Sequence, residues 1–233
     1  MTNSATTNVS DIWRLDATKA VLCTPQLTAE VDLLNPHAGL HRLEFGEATI
    51  DGSVLGIGSG PYPAPQQGDL ADKFVRGHDL VVSYAETRER PFSLQIYWRA
   101  TTSQQGVLLL DTILSLQTAL LESFPGVAVE TKLPNSQHYQ LPVDGADAYL
   151  VRCDGCSWSY AESTHPDDAG ESQVKRSDAG ASCMVRQLGG RFLEKGVIRR
   201  IRVRGVILPR ENDEMVATDC LESLSREEPP LAV

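Results

Sequence analysis

The sequence predicts an all-β fold, two stacked antiparallel sheets with a short C-terminal α-helix. Three observations carry the prediction. Short runs of β-branched and aromatic residues recur between Gly, Pro and Asn/Asp breaks, as strands joined by turns do. Within the clearest run, Leu94, Ile96 and Trp98 fall on one side and Ser93, Gln95, Tyr97 and Arg99 on the other, the alternation of a strand with one buried face. The length of 233 residues, 41% of them hydrophobic, is enough to fill the core of one large sandwich.

The elements follow in chain order. Residues 1–9 are polar and rich in Thr, Asn and Ser, and read as a disordered tail ahead of one domain over residues 10–233. Strands are expected over residues 11–16, 20–23, 27–34, 39–45 and 48–55. The third of these alternates only in part, which suits burial on both faces. Residues 57–71 hold many Gly, Pro and Gln residues and read as a long loop fit to rim a cleft. Further strands are expected over 73–75, 79–85, 92–101, 107–117 and 128–132. The stretch after Asp111 ends in a helix-like Ala119-Leu120-Leu121-Glu122, but Thr112 and Ile113 in a Leu-rich run closed by Pro125-Gly126 favour a strand. Strands over 149–153 and 156–163 flank Asp154-Gly155, a pair that tolerates the positive φ angles of a type I′ hairpin turn. Two more are expected over 182–187 and 196–208. The helix begins at an Asn212 or Asp213 cap. Asp213 and Glu214 suit its positive end, Ala217, Cys220/Leu221 and Leu224 recur at helical spacing, and Pro229-Pro230 stops it.

Composition narrows the function. A net charge of −10 argues against nucleic-acid and anionic-membrane partners, both of which call for Lys and Arg. The chain starts at Met1 without the basic and apolar run of a secretory signal, and no stretch approaches roughly 18 apolar residues. A soluble, cytoplasmic protein is the expectation. Five cysteines without regular spacing fit reduced thiols better than a disulfide framework.

The chemistry concentrates in residues 151–165. Trp158, Tyr160 and Glu162 share a strand face and His165 follows at the strand end. Two aromatic surfaces, a carboxylate and an imidazole suit a sugar ring and a proton to be moved. Opening a hemiacetal needs one group to take the anomeric proton and another to protonate the ring oxygen. The same pattern also describes ordinary cross-strand aromatic packing with Glu162 as a rim charge. Tyr97 and Arg99 read either as one wall of a polar groove or as a solvated sheet face. Arg200, Arg202 and Arg204 project to one face, answered either by carboxylates on neighbouring strands or by an anionic sugar such as a uronate or sugar phosphate. His138, in a Pro-bounded loop beside Tyr139, and Arg152 complete the expected sugar-binding set with Tyr97, Arg99, Trp158, Tyr160 and Arg202. No metal or cofactor is expected. Glu162-x-x-His165 would need a helix to bring both onto one face, and Cys153-x-x-Cys156 is explained by the turn between them.

The strand series, the turn Asn35-Pro36-His37-Ala38-Gly39-Leu40 and the segment Arg191-Phe192-Leu193-Glu194-Lys195-Gly196-Val197-Ile198-Arg199-Arg200 resemble galactose-mutarotase-like proteins of the aldose 1-epimerase superfamily, in outline over residues 11–228. The resemblance implies a β-supersandwich whose concave face binds a monosaccharide, with a glutamate base and a histidine acid. Thr164-His165-Pro166 resembles the histidine-bearing strand end of the epimerases, although Asp167-Asp168 stand where aromatic residues are expected. The glutamate corresponds to Glu162 or Glu194. The leading expectation is therefore carbohydrate binding, with aldose 1-epimerase chemistry at Glu162 and His165. The alternative is a non-catalytic structural or protein-interaction sandwich, oligomeric through the same sheet. A thiol- or zinc-dependent regulator at Cys153 and Cys156 is the third.

Overall fold

In a computed structural model of the chain, residues 12–46, 48–103, 106–176 and 182–227 are described. The expected tail and Pro229-Pro230 lie outside them. Among the described residues, eighteen strands and one α-helix run in the order β1 (Trp13–Leu15), β2 (Lys19–Cys23), β3 (Thr28–Asp32), β4 (Leu40–Phe45), β5 (Ala48–Gly58), β6 (Leu70–Arg76), β7 (Asp79–Tyr84), β8 (Ser93–Thr102), β9 (Leu108–Gln117), β10 (Glu122–Ser123), β11 (Gly126–Leu133), β12 (Ser136–Leu141), β13 (Ala148–Cys153), β14 (Trp158–Thr164), β15 (Ser172–Arg176), β16 (Ser182–Gly189), β17 (Leu193–Glu194), β18 (Ile198–Pro209) and α1 (Asp213–Arg226). The first sheet has the order β1-β2-β3-β4-β5-β11-β16-β15 and the second β12-β13-β14-β18-β9-β8-β7-β6, with β10-β17 a separate two-stranded ribbon. The fold is the expected all-β sandwich with its C-terminal helix.

Alternation decides which side chains meet between the sheets. Leu22, Val31, Leu43, Val129 and Leu188 of the first sheet pack against Leu80, Trp98, Leu114, Tyr160 and Val203 of the second in one apolar core. A second, smaller core lies on the other side of the second sheet, where Leu150, Ala161, Val206 and Leu208 receive Ala217 and Leu221 of α1. Gly39 in the turn before β4 has φ +58°, and a Cβ there would lie 2.4 Å from the Val54 carbonyl oxygen, so only glycine fits.

Four elements escaped the sequence reading. β12 (Ser-Gln-His-Tyr-Gln-Leu) is a polar edge strand without a β-branched residue, and β15 is a polar edge strand of the other sheet. β10 and β17 are two residues each. The long loop is shorter than expected, because β5 continues to Gly58 and a 3-10 turn at Gln67–Asp69 leads into β6 at Leu70. The Asp154-Gly155 turn does join β13 to β14. Only Gly155 takes positive φ, at +73°, and the ladder closes at Val151–Tyr160, so the connection is wider than a two-residue type I′ turn, which needs positive φ at both residues.

Both ends of α1 are tied to the second sheet. Asn212 takes the cap position in the left-handed region (φ +58°) and its side chain makes no cap hydrogen bond. Asp213 instead turns onto the sheet, where it accepts hydrogen bonds from Arg152 at 2.6 and 2.9 Å and from Ser159 at 2.5 Å. Beyond the last turn, Glu227 accepts from both Arg202 and Arg204. Burial works to raise the Asp213 carboxyl, but the hydrogen bonds from Arg152 and Ser159 outweigh it and hold the group below 3.8. The same balance, with Arg204 and Arg202 as donors, holds Glu227 below 4.5. A carboxyl depressed in the folded state takes up protons less readily than it does in the unfolded chain. Its contribution is therefore fully present above the ordinary value and is lost as the pH falls through the lower, folded one. Hydrogen exchange is expected to show α1 amides losing protection below pH 4.5, ahead of β8 and β9. Equal protection of helix and sheet down to global unfolding would count against the two clamps.

Candidate functional site

The second sheet turns one face inward to the core and one outward, and α1 lies over β18, β14 and β13 of the outer face. The register of the remaining strands builds three cross-strand rows there. The first alternates in charge: Arg76 opposite Asp79, Asp79 opposite Arg99, Arg99 opposite Asp111, Asp111 opposite Arg204. Arg99 grips Asp79 with two bonds of 2.7 and 3.0 Å, and that hydrogen bonding raises the guanidinium above its ordinary value. Asp111 accepts from Arg204 at 2.7 and 3.0 Å and from Arg202 at 3.0 Å. Burial works to lower Arg204, and the bonds to Asp111 and Glu227 more than offset it.

The second row is apolar: Phe74, Val81, Tyr97 and Ile113, ending at Arg202. Val81 and Ile113 are buried, Tyr97 is partly buried and Phe74 is exposed. The third is polar: Asp72, Ser83, Gln95, Ser115 and Arg200. Tyr97 Oη donates to Gln95 Oε1 at 2.5 Å, and Gln95 Nε2 donates to Ser83 Oγ at 2.9 Å, which fixes the ring of Tyr97 in place. The face thus offers a half-exposed aromatic ring with fixed donors and acceptors on both sides. Such a combination holds a small polyhydroxylated ring by stacking and hydrogen bonding.

Three of the residues expected from sequence, Tyr97, Arg99 and Arg202, come together on this face. The others do not join them. Trp158 and Tyr160 belong to the core between the sheets; Trp158 stacks on Phe45 with centroids 3.7 Å apart. Glu162 is 0% exposed. It accepts from Arg186 Nε at 2.7 Å, Thr131 Oγ1 at 2.6 Å and Tyr160 Oη at 2.7 Å, while Arg186 Nη2 donates to the Glu162 carbonyl at 2.9 Å. Thr131 also accepts from the Leu55 N–H at 3.2 Å. The carboxylate therefore locks one sheet to the other and is sealed from any substrate. The expected aromatic and carboxylate wall at Trp158, Tyr160 and Glu162 is corrected accordingly. It faces the core because the first sheet covers that side of β14.

His165 lies beyond the end of β14, and its Nδ1 accepts from the Asp167 N–H at 3.2 Å. Glu162 and His165 are three residues apart, an odd step that sends them to opposite sides of an extended chain. The expected proton-transfer pair is thus divided. Arg152 sits over the Tyr139 ring at 4.7 Å and is occupied in holding Asp213 and Glu214. His138 is on β12, opposite Val151, at the far edge of the sheet from Tyr97. Glu194, the other glutamate that the resemblance offers, is on the β10-β17 ribbon.

Cys153 and Cys156 are free thiols, Cys156 Sγ lies 3.8 Å from the Asp154 carbonyl oxygen, and burial pushes the Cys153 thiol up to about 12. No three His, Cys, Asp or Glu side chains are grouped as metal ligands among the described residues, and no described helix is long and apolar enough to cross a membrane. Sequence reasoning missed Asp79, Asp111 and Glu227. The Arg202/Arg204 pair of the stripe was the signal for Asp111 and Glu227, since aligned arginines on a sheet call for carboxylates.

No protein-family model matches the sequence, and no curated protein matches it. Comparison with solved structures gives matches at low identity. A protein assigned as an aldose 1-epimerase, from Klebsiella pneumoniae, superposes with a TM-score of 0.56 at 7% identity, over 94% of this chain and 90% of that one. A protein assigned as a kojibiose phosphorylase, from the human microbiome, gives 0.49 at 8% identity over 94% of this chain and 34% of its own. The 4-alpha-glucanotransferase of Thermococcus litoralis gives 0.35 at 7% identity, over 82% and 38%. The first of these likenesses carries the shared fold: the chain is a β-supersandwich like the aldose 1-epimerase-like protein.

Proposed function

We propose that the protein binds a carbohydrate on the outer face of its second sheet, with the sugar ring on Tyr97 and its hydroxyl or acidic groups toward Gln95 and Arg99. The observation that carries this reading is the half-exposed Tyr97 ring, held by Gln95 and set between a charged row and a polar row. The shared fold supports it, since the Klebsiella structure is assigned to a sugar-processing activity.

The same geometry favours binding over turnover. Mutarotation needs a base and an acid free to exchange protons. The two carboxylates nearest Tyr97 in the ladder, Asp79 and Asp111, are each fixed by arginines, and Glu162 is on the other side of the sheet. An epimerase acting through Glu162 and His165 is therefore the less supported form of the reading.

Anomeric proton NMR on a pool of neutral sugars, uronates and sugar phosphates tests both forms. Broadening of one sugar without faster exchange between its α and β signals is the expected result, and Tyr97→Ala should weaken the binding about tenfold, the equivalent of about 1.4 kcal/mol of lost stacking. Accelerated exchange would restore the epimerase reading. No broadening across the pool would remove the carbohydrate reading and leave the interaction module.

A further inference from the structure

Beyond sugar binding, we propose that two copies of the chain associate through the end of the sandwich that carries the β10-β17 ribbon. Six large apolar side chains are exposed in two short segments there: Leu120 (46%), Leu121 (80%), Phe124 (55%), Phe192 (47%), Val197 (48%) and Ile198 (49%). The two segments are joined by the ribbon ladder, Glu122 opposite Glu194 and Ser123 opposite Leu193. Just past it the Phe124 and Phe192 rings meet edge to face at 5.8 Å. Only three other large apolar residues are comparably exposed among the described residues, Leu15, Phe74 and Met215, and they lie on other elements. A contiguous apolar patch of this kind marks an interaction surface.

The charges around the patch say what covers it. Glu122 and Glu194 lie directly opposite each other, an arrangement that repels within one copy. Neither has an ion-pair partner among the described residues. Arg191 and Lys195, which flank Glu194 in the second segment, also have none among the described residues. Two unanswered anions and two unanswered cations thus ring one apolar centre. A two-fold contact places the same patch against itself, so each copy's acids meet the other copy's bases while the phenylalanines and leucines pack in the middle. A partner of a single charge sign would leave one of the two pairs unanswered. The net charge of −10 makes two copies repel in general and makes a locally balanced patch the favoured place for them to meet.

Sedimentation velocity on the full chain tests this. The wild type is expected at twice the 25.4 kDa chain mass, falling toward the monomer on dilution. Leu121→Asp should be monomeric with an unchanged circular dichroism spectrum, since Leu121 supports no core. A Glu122→Lys/Glu194→Lys variant and an Arg191→Glu/Lys195→Glu variant should each fail to self-associate and form a heterodimer when mixed. A wild type that stays monomeric at its solubility limit, a dimer that survives Leu121→Asp, or reversed variants that do not pair would each overturn the proposal. Sugar binding is read separately by NMR, so its failure leaves this result untouched.

Discussion

Arg186→Leu is expected to destabilise the fold by about 3–5 kcal/mol, the loss typical of stranding one member of a buried ion pair. Arg186 and Glu162 are both 0% exposed, one on β16 of the first sheet and one on β14 of the second. Their 2.7 Å contact bridges the core. Removing the guanidinium leaves a carboxylate with only Thr131 and Tyr160 as donors. It also leaves the Glu162 and Asp147 carbonyls without the bonds Arg186 gives them at 2.9 and 2.7 Å. Glu162→Leu likewise strands the positive charge in the core, so a loss of similar order is expected. The double variant Glu162→Leu/Arg186→Leu should recover a large part of either loss, because replacing both ions removes the desolvation penalty together with the attraction. Urea unfolding of the four proteins measures the coupling. Additive losses, or a single-variant loss below about 1 kcal/mol, would show that the pair is not the inter-sheet lock described here.

That lock marks the limit of what the residues revealed. The strand positions were legible because apolar alternation is a local signal, and α1 was legible from its acidic start and helical spacing. The alternation of residues 93–99 even assigned Tyr97 and Arg99 to the outward side correctly. What alternation cannot supply is which of two sheets lies across from a given face. Trp158, Tyr160 and Glu162 share a face in either case. The face is a sugar-binding wall if open and a core with a buried ion if covered, and the cover is supplied by β11 and β16, distant in sequence. Arg186 itself lay within an expected strand and went unremarked, because a lone arginine on a strand signals nothing until its partner is known. The step of three from Glu162 to His165 was the exception. It already implied opposite faces, so the division of that pair was readable from spacing alone.

Asp111→Asn should be the second most damaging change, by about 3 kcal/mol or more, since it deprives two buried arginines of their shared carboxylate. Asp111, Arg202 and Arg204 are 6%, 5% and 2% exposed, and Asp111 accepts from both guanidinium groups. Glu227 contacts the same two arginines, but 41% of its side chain is open to water. Water screens that pair, and Glu227→Gln is expected to shift stability by less than about 1 kcal/mol. The contrast separates two roles that the contacts alone do not. If Asp111 anchors the stripe and Glu227 only caps it, urea midpoints will rank wild type and Glu227→Gln together and Asp111→Asn far below. Equal effects would mean that the stripe is held from the helix side, and the arginines would then be free to turn toward a ligand whenever α1 lifts. With Asp111 as the anchor, Arg202 and Arg204 stay fixed in the sheet. They then bound the Tyr97 surface as a rigid edge, so that a sugar bound as proposed would meet a preformed face.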